Sequence, residues 1–348
     1  MSAGSYFVNL HQTTQNRFWI NNPDATEIEN ALNHDAYACT TNPAYCAKLL
    51  QSEPDYLTDT VDEVLDLCPD AEQAARLVYQ RVSQRLMEAF LPKFLSSEGT
   101  AGFVTMQPDP RIDEDAEKII ADIEANRSLG PNYMAKIPVI ESAIAAMDYC
   151  FEEGIPICAT EVFSIAQAVY VYRRYQRVAA RSKIRAPLYV THITGIFDEY
   201  LAKTVDREGL QIRPASLHWA GLAVAHKQLR VQQDLCPEAI MLGGGARGPH
   251  HFTGLVPSTA HITINWSTAE ELLGSEVSAT HEPITVDERD VEELRAKVPT
   301  FRRAYDDDGL VPGEFARFGP TQLFRSAFLK GWYTLLAAVA DRKQCLAR

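Results

Sequence analysis

Long apolar runs are missing from this chain of 348 residues, none approaching the roughly 18 needed for a helix to cross a bilayer. The opening MSAGSYFVNLHQTTQNRF has no basic segment followed by an apolar stretch, so a cytoplasmic and not a secreted protein is expected. The seven cysteines are odd in number and form no Cys-x-x-Cys pair, which speaks against a disulfide framework and against a zinc ribbon. Basic charge is in short supply too. Against 33 Lys and Arg stand 46 Asp and Glu, a net charge of −13, so neither nucleic acid nor an anionic membrane is expected as a partner. An anionic substrate would have to be met by a few locally placed donors. No Gly-x-Gly-x-x-Gly follows the first apolar segment, which weakens a dinucleotide-binding reading. No linker or low-complexity tract divides the chain.

The hydrophobic content, 46%, is enough to fill a sizeable core. Short β-rich runs at residues 17–21, 36–42, 102–107, 133–139, 155–160, 186–193, 238–245 and 261–265 alternate with helical patterns such as 113–129, 141–153, 164–179 and 214–233. Strands alternating with helices imply parallel βαβ units, and eight of them predict an α/β fold, a (β/α)8 TIM barrel, with an open doubly wound sheet as the alternative. One domain over residues 1–348 is expected, with extra helices after strand 2, at 44–95, and at the C-terminus, at 287–348. Pro54, Pro69 and Pro92 should punctuate the first addition. The acidic turn Asp306-Asp307-Asp308-Gly309 lacks the later carboxylate of a calcium loop and reads as solvated.

Lys136 stands inside the apolar segment Tyr133-Met-Ala-Lys-Ile-Pro-Val139. Burial disfavours the charged form of a lysine and frees an amine that can attack a carbonyl. The bland alternative is a stem lying along the strand with its ammonium reaching water or a carboxylate. Catalytic groups of a TIM barrel sit at the C-terminal ends of its strands. Those ends carry Asn21, Thr41 and Asn42, Gln107, Lys136, Thr160, Thr191 and His192, Arg247, and Asn265.

Three motifs then carry a resemblance. Thr40-Thr41-Asn42-Pro43 on the second strand, Lys136-Ile137-Pro138 on the fourth, and the run from Gly154 through Cys158, Thr160 and Phe163-Ser164 to Gln167-Ala168 on the fifth are together similar to the transaldolase family, in order and spacing, over roughly residues 17–345. The resemblance implies that Lys136 forms an imine with the C2 ketone of a ketose, that Asn42 holds its hydroxyls, and that cleavage leaves a three-carbon dihydroxyacetone enamine on the lysine. It implies no cofactor and no metal. Its partners would be a small-molecule ketose donor and an aldehyde acceptor, with a homodimer allowed. Lys136, Gln107, Thr160 and Asn21 are the catalytic candidates; Asn42, Thr41, Cys158, Thr191, His192 and Arg247 are the substrate-binding ones.

Several positions depart from the family. Asn21 stands where transaldolases have a first-strand carboxylate, and an amide takes no proton at neutral pH. Asp24 is nearby, though a helix N-cap is the simpler role for it. Gln107 replaces the third-strand glutamate and resembles the related fructose 6-phosphate aldolases, while Cys158 replaces a fifth-strand asparagine and reads as an inert buried thiol. The sixth strand keeps Thr191 but has Ile196 where the family has an arginine; Arg247 on the seventh survives. Gly243 to Gly245 either let backbone N–H groups approach an anion or form a plain turn. His192, His250 and His251 either replace the lost arginine or mark a substrate without phosphate. Strand alternation turns His192 away from the face of Thr191, and adjacency sends His250 and His251 in different directions, against a metal site. A transaldolase-type transferase is therefore expected, with an aldolase-type lyase on a variant or unphosphorylated sugar second, and an impaired sugar-binding or protein-interaction member third.

Overall fold

The computed structural model describes residues 6–279 and 281–347. Eight parallel strands close into a barrel in sequence order: β1 Arg17–Asn21, β2 Ala38–Thr40, β3 Val104–Met106, β4 Tyr133–Pro138, β5 Ile157–Val162, β6 Leu188–Ile193, β7 Ile240–Gly244 and β8 His261–Ile264. The closing pair, β8 with β1, is parallel like the others, which removes the open-sheet alternative. Most strands are trimmed by a residue or two relative to their apolar runs, while β5 continues past Thr160 to Val162.

Because strand side chains alternate in direction, each strand sends every second residue into the barrel. Trp19, Ala38, Phe103, Met134, Cys158, Tyr189 and Leu242 meet there in one buried apolar cluster. The Trp19 indole N–H donates to His261 Nδ1 at 3.0 Å, which satisfies the one polar atom an indole brings into such a core. Two residues further along the same strands come Asn21, Thr40, Lys136, Thr160, Thr191, Gly244 and Thr263. The apolar layer thus plugs the barrel and the polar layer faces its C-terminal mouth.

Outside the barrel, capping residues decide where helices start. Asp24 forms a capping box with Glu27 at the helix Ala25–Asn33, so it acts as the N-cap that its position in the sequence foreshadows. The segment after β2 is three helices, Tyr45–Ser52, Pro54–Leu67 and Ala71–Ser96. Pro54 opens the second, whereas Pro92 lies inside the third and does not end it. The pattern at 214–233 divides at Trp219 into Pro214–His218 and Ala220–Leu235. The acidic turn is held by ion pairs of Asp306 with Arg295 and of Asp307 with Lys227. Among the described residues, no helix is long and apolar enough to cross a membrane.

The C-terminal helix Gly319–Leu346 packs on all three helices that follow β2 and on Thr194–Glu208. Gly331 makes that approach possible, since a Cβ there would stand 2.5 Å from Ala44 Cα. The next residue, Trp332, is buried edge-on against Tyr79, whose hydroxyl lies 3.0 Å from Thr41 Oγ1. Gly331→Leu is expected to push this helix off the mouth, lowering stability by about 1–3 kcal/mol in urea unfolding; an unchanged unfolding midpoint would contradict this packing.

Candidate active site

The polar layer at the mouth surrounds a cavity of about 450 Å3. Lys136 enters it from β4, 6% exposed, and donates from Nζ to the carbonyl oxygen of Thr41 at 2.8 Å. Desolvation lowers its pKa, and Cys158, Glu161 and Cys39 only partly oppose that. Its recorded hydrogen-bond partner is a carbonyl and not a carboxylate, and the Phe328 ring centroid lies 5.8 Å from the nitrogen. A lysine so placed gives up its proton more readily than one in water, and it is the unprotonated amine that can condense with a carbonyl.

The wall formed by β8, β1 and β2 is a network of amides and hydroxyls. Asn21 Nδ2 donates to Asn265 Oδ1 at 2.8 Å, and Asn21 Oδ1 accepts from Thr40 Oγ1 at 3.0 Å. The backbone N–H of Asn42 donates to Asn22 Oδ1, and its side-chain oxygen accepts from the N–H of Ala44, which leaves its NH2 group for a ligand. Lys48 closes this side, paired with Glu27 and donating to the Asn22 carbonyl. The opposite wall is apolar, with Phe324, Ala327 and Phe328 from the C-terminal helix, Ile193 from the end of β6 and Ile196 from the helix Thr194–Glu208 that follows it. Gly244 and Gly245 also face the cavity; Gly245 has φ of 66°, and a Cβ there would sit 2.5 Å from Ile193 Cγ2. Gly243 belongs to β7 itself, kept small by Leu255, so this glycine run is mostly a strand end that packs closely.

Of the ten residues singled out from sequence, Lys136, Asn21, Asn42, Cys158, Thr160, Thr191 and Arg247 line this cavity. The other three do not. His192 points outward, as alternation requires, donating from Nε2 to the Gly221 carbonyl, and burial lowers its pKa to about 4. It is therefore a neutral core histidine and no substitute for an arginine. The Thr41 hydroxyl is taken up by Tyr79 and by the Thr105 carbonyl, so Thr41 serves the site through its own carbonyl. Gln107 is fully buried behind the cavity and donates to Glu161 at 3.0 Å. Cys158 lies 3.1 Å from Thr191 Oγ1, and burial raises its pKa, as suits an unreactive thiol. Arg247 is half exposed and tied to Glu199 at 3.1 Å.

Glu161 is the residue the sequence reasoning passed over. It follows Thr160 within an apolar strand, and the argument that singles out Lys136 applies to it equally. The pairing of β5 with β6 shifts register between Ala159 and Val162, and Glu161 takes a left-handed φ of 60° there. Its carboxylate is thereby carried out of the strand's alternation to Gln107. The Phe-Ser-x-x-Gln motif holds this turn, with Gln167 Nε2 donating to the carbonyls of both Glu161 and Val139 and Ser164 capping the helix Ile165–Ser182. Burial raises Glu161 to about 7 and moves its neighbour Asp113 in the same direction. Phe324 and Phe328 also went unnoticed, since an aromatic pair four residues apart on a helix reads as ordinary core.

His250 and His251 do not diverge. They lie on the short helix His250–Thr253 with ring centroids 3.9 Å apart, and Asp198 joins them within 4.8 Å. The Arg247 amide donates to His251 Nδ1 at 3.0 Å, so Nε2 carries the proton that goes to Asp198 at 2.8 Å. With both nitrogens engaged, His251 has no lone pair for a cation, and the cluster fastens the loop after β7.

Over residues 18–305 the chain matches the family described as Transaldolase/Fructose-6-phosphate aldolase. It is 27% identical over 307 residues to the transaldolase of Thiobacillus denitrificans, covering 80% of each chain. Against the transaldolase of Acidothermus cellulolyticus it is 26% identical over 205 residues, 55% of this chain and 52% of that one. Against that of Mycobacterium tuberculosis it is 27% identical over 186 residues, 50% of each. The match thus spans about half the length of the last two relatives. A closed barrel of eight parallel strands, matched to one family from its first strand to beyond its last, makes this chain a member of the transaldolase/fructose-6-phosphate aldolase family.

Proposed function

We propose that this chain is a Schiff-base enzyme that makes or breaks a carbon–carbon bond in a ketose and moves a three-carbon dihydroxyacetone unit to an aldehyde acceptor. The observation that carries this reading is Lys136: an amine buried in the cavity, its pKa lowered by desolvation, and hydrogen-bonded to a carbonyl instead of a carboxylate. Once the imine forms on C2, its nitrogen accepts the electron pair of the breaking C3–C4 bond, and an enamine replaces a free carbanion. The NH2 group of Asn42 and the hydroxyls of Thr160 and Thr191 are the donors around a polyol chain. The names of the relatives support the transferase outcome.

A second reading, release of the dihydroxyacetone unit as in an aldolase, with an unphosphorylated ketose, is favoured by the far wall. Ile196 offers no charge to a phosphate, and Arg247 is already paired with Glu199. The two readings differ in whether turnover needs an acceptor aldehyde.

Incubation with a dihydroxyacetone donor and borohydride is expected to add the donor's mass to the Lys136 peptide, and Lys136→Ala to lower turnover by at least about 10³-fold with the fold intact by circular dichroism. Trapping should speed up as pH rises through the lowered Lys136 pKa, because the unprotonated amine is the nucleophile. No adduct across a panel of donors would end the Schiff-base reading, full activity of Lys136→Ala would place the chemistry at another residue, and no turnover by wild type would point to an impaired sugar-binding member. A coupled assay with and without acceptor decides between transfer and release; equal turnover without acceptor removes the transferase. In the same assay Arg247→Ala is expected to raise KM about tenfold for a phosphorylated ketose, the loss of one charge-assisted contact, and to leave an unphosphorylated one unchanged.

A further inference from the structure

The cavity has two unlike faces, and what fills it must match both. One carries donors for hydroxyl groups: the Asn42 NH2 group and the hydroxyls of Thr160 and Thr191. The other carries Ile193, Ile196, Phe324 and Phe328. These side chains form one surface in two adjoining parts. Both isoleucines pack against Gly245, where a Cβ would stand 2.5 Å from Ile193 Cγ2 and 3.2 Å from Ile196 Cγ1. The two phenyl rings have centroids 4.3 Å apart, and that of Phe328 lies 5.8 Å from Lys136 Nζ. The apolar face therefore begins beside the nucleophile and runs outward.

Of the three cationic side chains on the cavity wall, Lys136 is the nucleophile and the other two are already engaged. Lys48 donates to the Asn22 carbonyl at 2.9 Å and pairs with Glu27. Arg247 donates from Nε and Nη2 to Glu199 at 3.2 and 3.1 Å, and from Nη1 to the Ala246 carbonyl at 3.3 Å. Its stem reaches Glu199 across Gly195, where a Cβ would stand 2.8 Å from Arg247 Cγ. Gly195 and Glu199 are four residues apart and share one face of the helix Thr194–Glu208, whereas Ile196 lies about 100° round it. The guanidinium is thus drawn along the helix while an isoleucine looks into the cavity. A phosphate entering here would meet Ile196 and could gain Arg247 only by breaking its pair with Glu199.

We propose that the aldehyde joined to, or cleaved from, the three-carbon unit carries an apolar tail, being an unphosphorylated aliphatic or aromatic aldehyde, and that Ile196, Phe324 and Phe328 select it. The proposal rests on Lys136 forming the imine, and it names what lies beyond the bond that is made. In the synthetic direction the enamine on Lys136 directs its electron pair from C3 to the aldehyde carbon, and the carbonyl π pair moves to oxygen, which takes a proton from water. The hydroxide left behind adds to the iminium carbon, and the resulting carbinolamine collapses to the ketose and the free amine. Along the tail, the face decides. Each methylene laid on it is worth about fourfold in transition-state binding. Each sugar hydroxyl turned towards it loses its hydrogen bonds to water and gains none, at a cost of about tenfold.

The test supplies the full chain with dihydroxyacetone as donor and measures kcat/KM for acetaldehyde, propanal, butanal, benzaldehyde, glyceraldehyde and glyceraldehyde 3-phosphate. From acetaldehyde to butanal it is expected to rise about fourfold per methylene, with butanal and benzaldehyde at least about tenfold above both trioses. Ile196→Arg should flatten that rise and improve glyceraldehyde 3-phosphate about tenfold. A wild-type series that is flat or falls, or a triose preferred to butanal, overturns the proposal, and so does an Ile196→Arg protein with the wild-type order of preference. Should Ile196→Arg not fold by circular dichroism, Phe324→Ser replaces it, at a half-buried position of the C-terminal helix: a flattened alkyl series supports the proposal, and an unchanged one overturns it. A Lys136 adduct on borohydride trapping with no turnover of any of these aldehydes also overturns it. Absence of any Lys136 adduct would instead overturn the Schiff-base reading beneath it.

Discussion

Two residues per repeat is the constraint on which everything here depends. In a closed parallel barrel each strand can send only alternate side chains inward, so the apolar plug and the polar mouth are two successive layers of the same eight strands. Trp19 and Asn21, Met134 and Lys136, Cys158 and Thr160, Tyr189 and Thr191 are such pairs. A shift of one residue in any strand would exchange its site residue for one facing the helices. His192 shows the other side of this rule: next to a cavity threonine, it belongs to the layer between barrel and helices.

Burial sets the chemistry of that mouth. Water is kept from below by the aromatic plug and from one side by Phe324 and Phe328, and the low dielectric acts oppositely on acids and bases. Lys136 is pushed down and Glu161 and Asp113 are pushed up. The outcome is an amine and an acid both biased towards neutrality within one interior, the opposite of a structural ion pair. An ion pair would fix both charges; burial without pairing favours a lone pair on nitrogen and a proton on oxygen.

Distant parts of the chain maintain this arrangement. The C-terminal helix supplies the apolar wall and, through Trp332 and Tyr79, bears on Thr41, whose carbonyl receives the Lys136 hydrogen bond. Gln167, one turn into the helix after β5, ties the ends of β4 and β5 together and holds the Glu161 turn. Thr41 and Gln167, both within the motifs that resemble the family, are in this sense structural: they position groups around the cavity.

The fold class, the strand order and the prominence of Lys136 were legible along the chain because they follow from periodicity and from one charged residue in an apolar run, both local properties. Asp24 as an N-cap was legible for the same reason. The wall made by Phe324 and Phe328, more than 180 residues from Lys136 in sequence, had no local signature, since an apolar helix face looks alike whether it covers a core or a cavity. Nor did the pairing of His251 with Asp198, which depends on how a loop folds back on the next helix. What the sequence by itself determined is which residues face inward, because alternation needs no knowledge of neighbours. What only the tertiary structure decided is which of the buried polar groups meet, and so where a proton can reside: Glu161 reaches Gln107 through a register shift between β5 and β6, and a shift between strands exists only once both strands are in place.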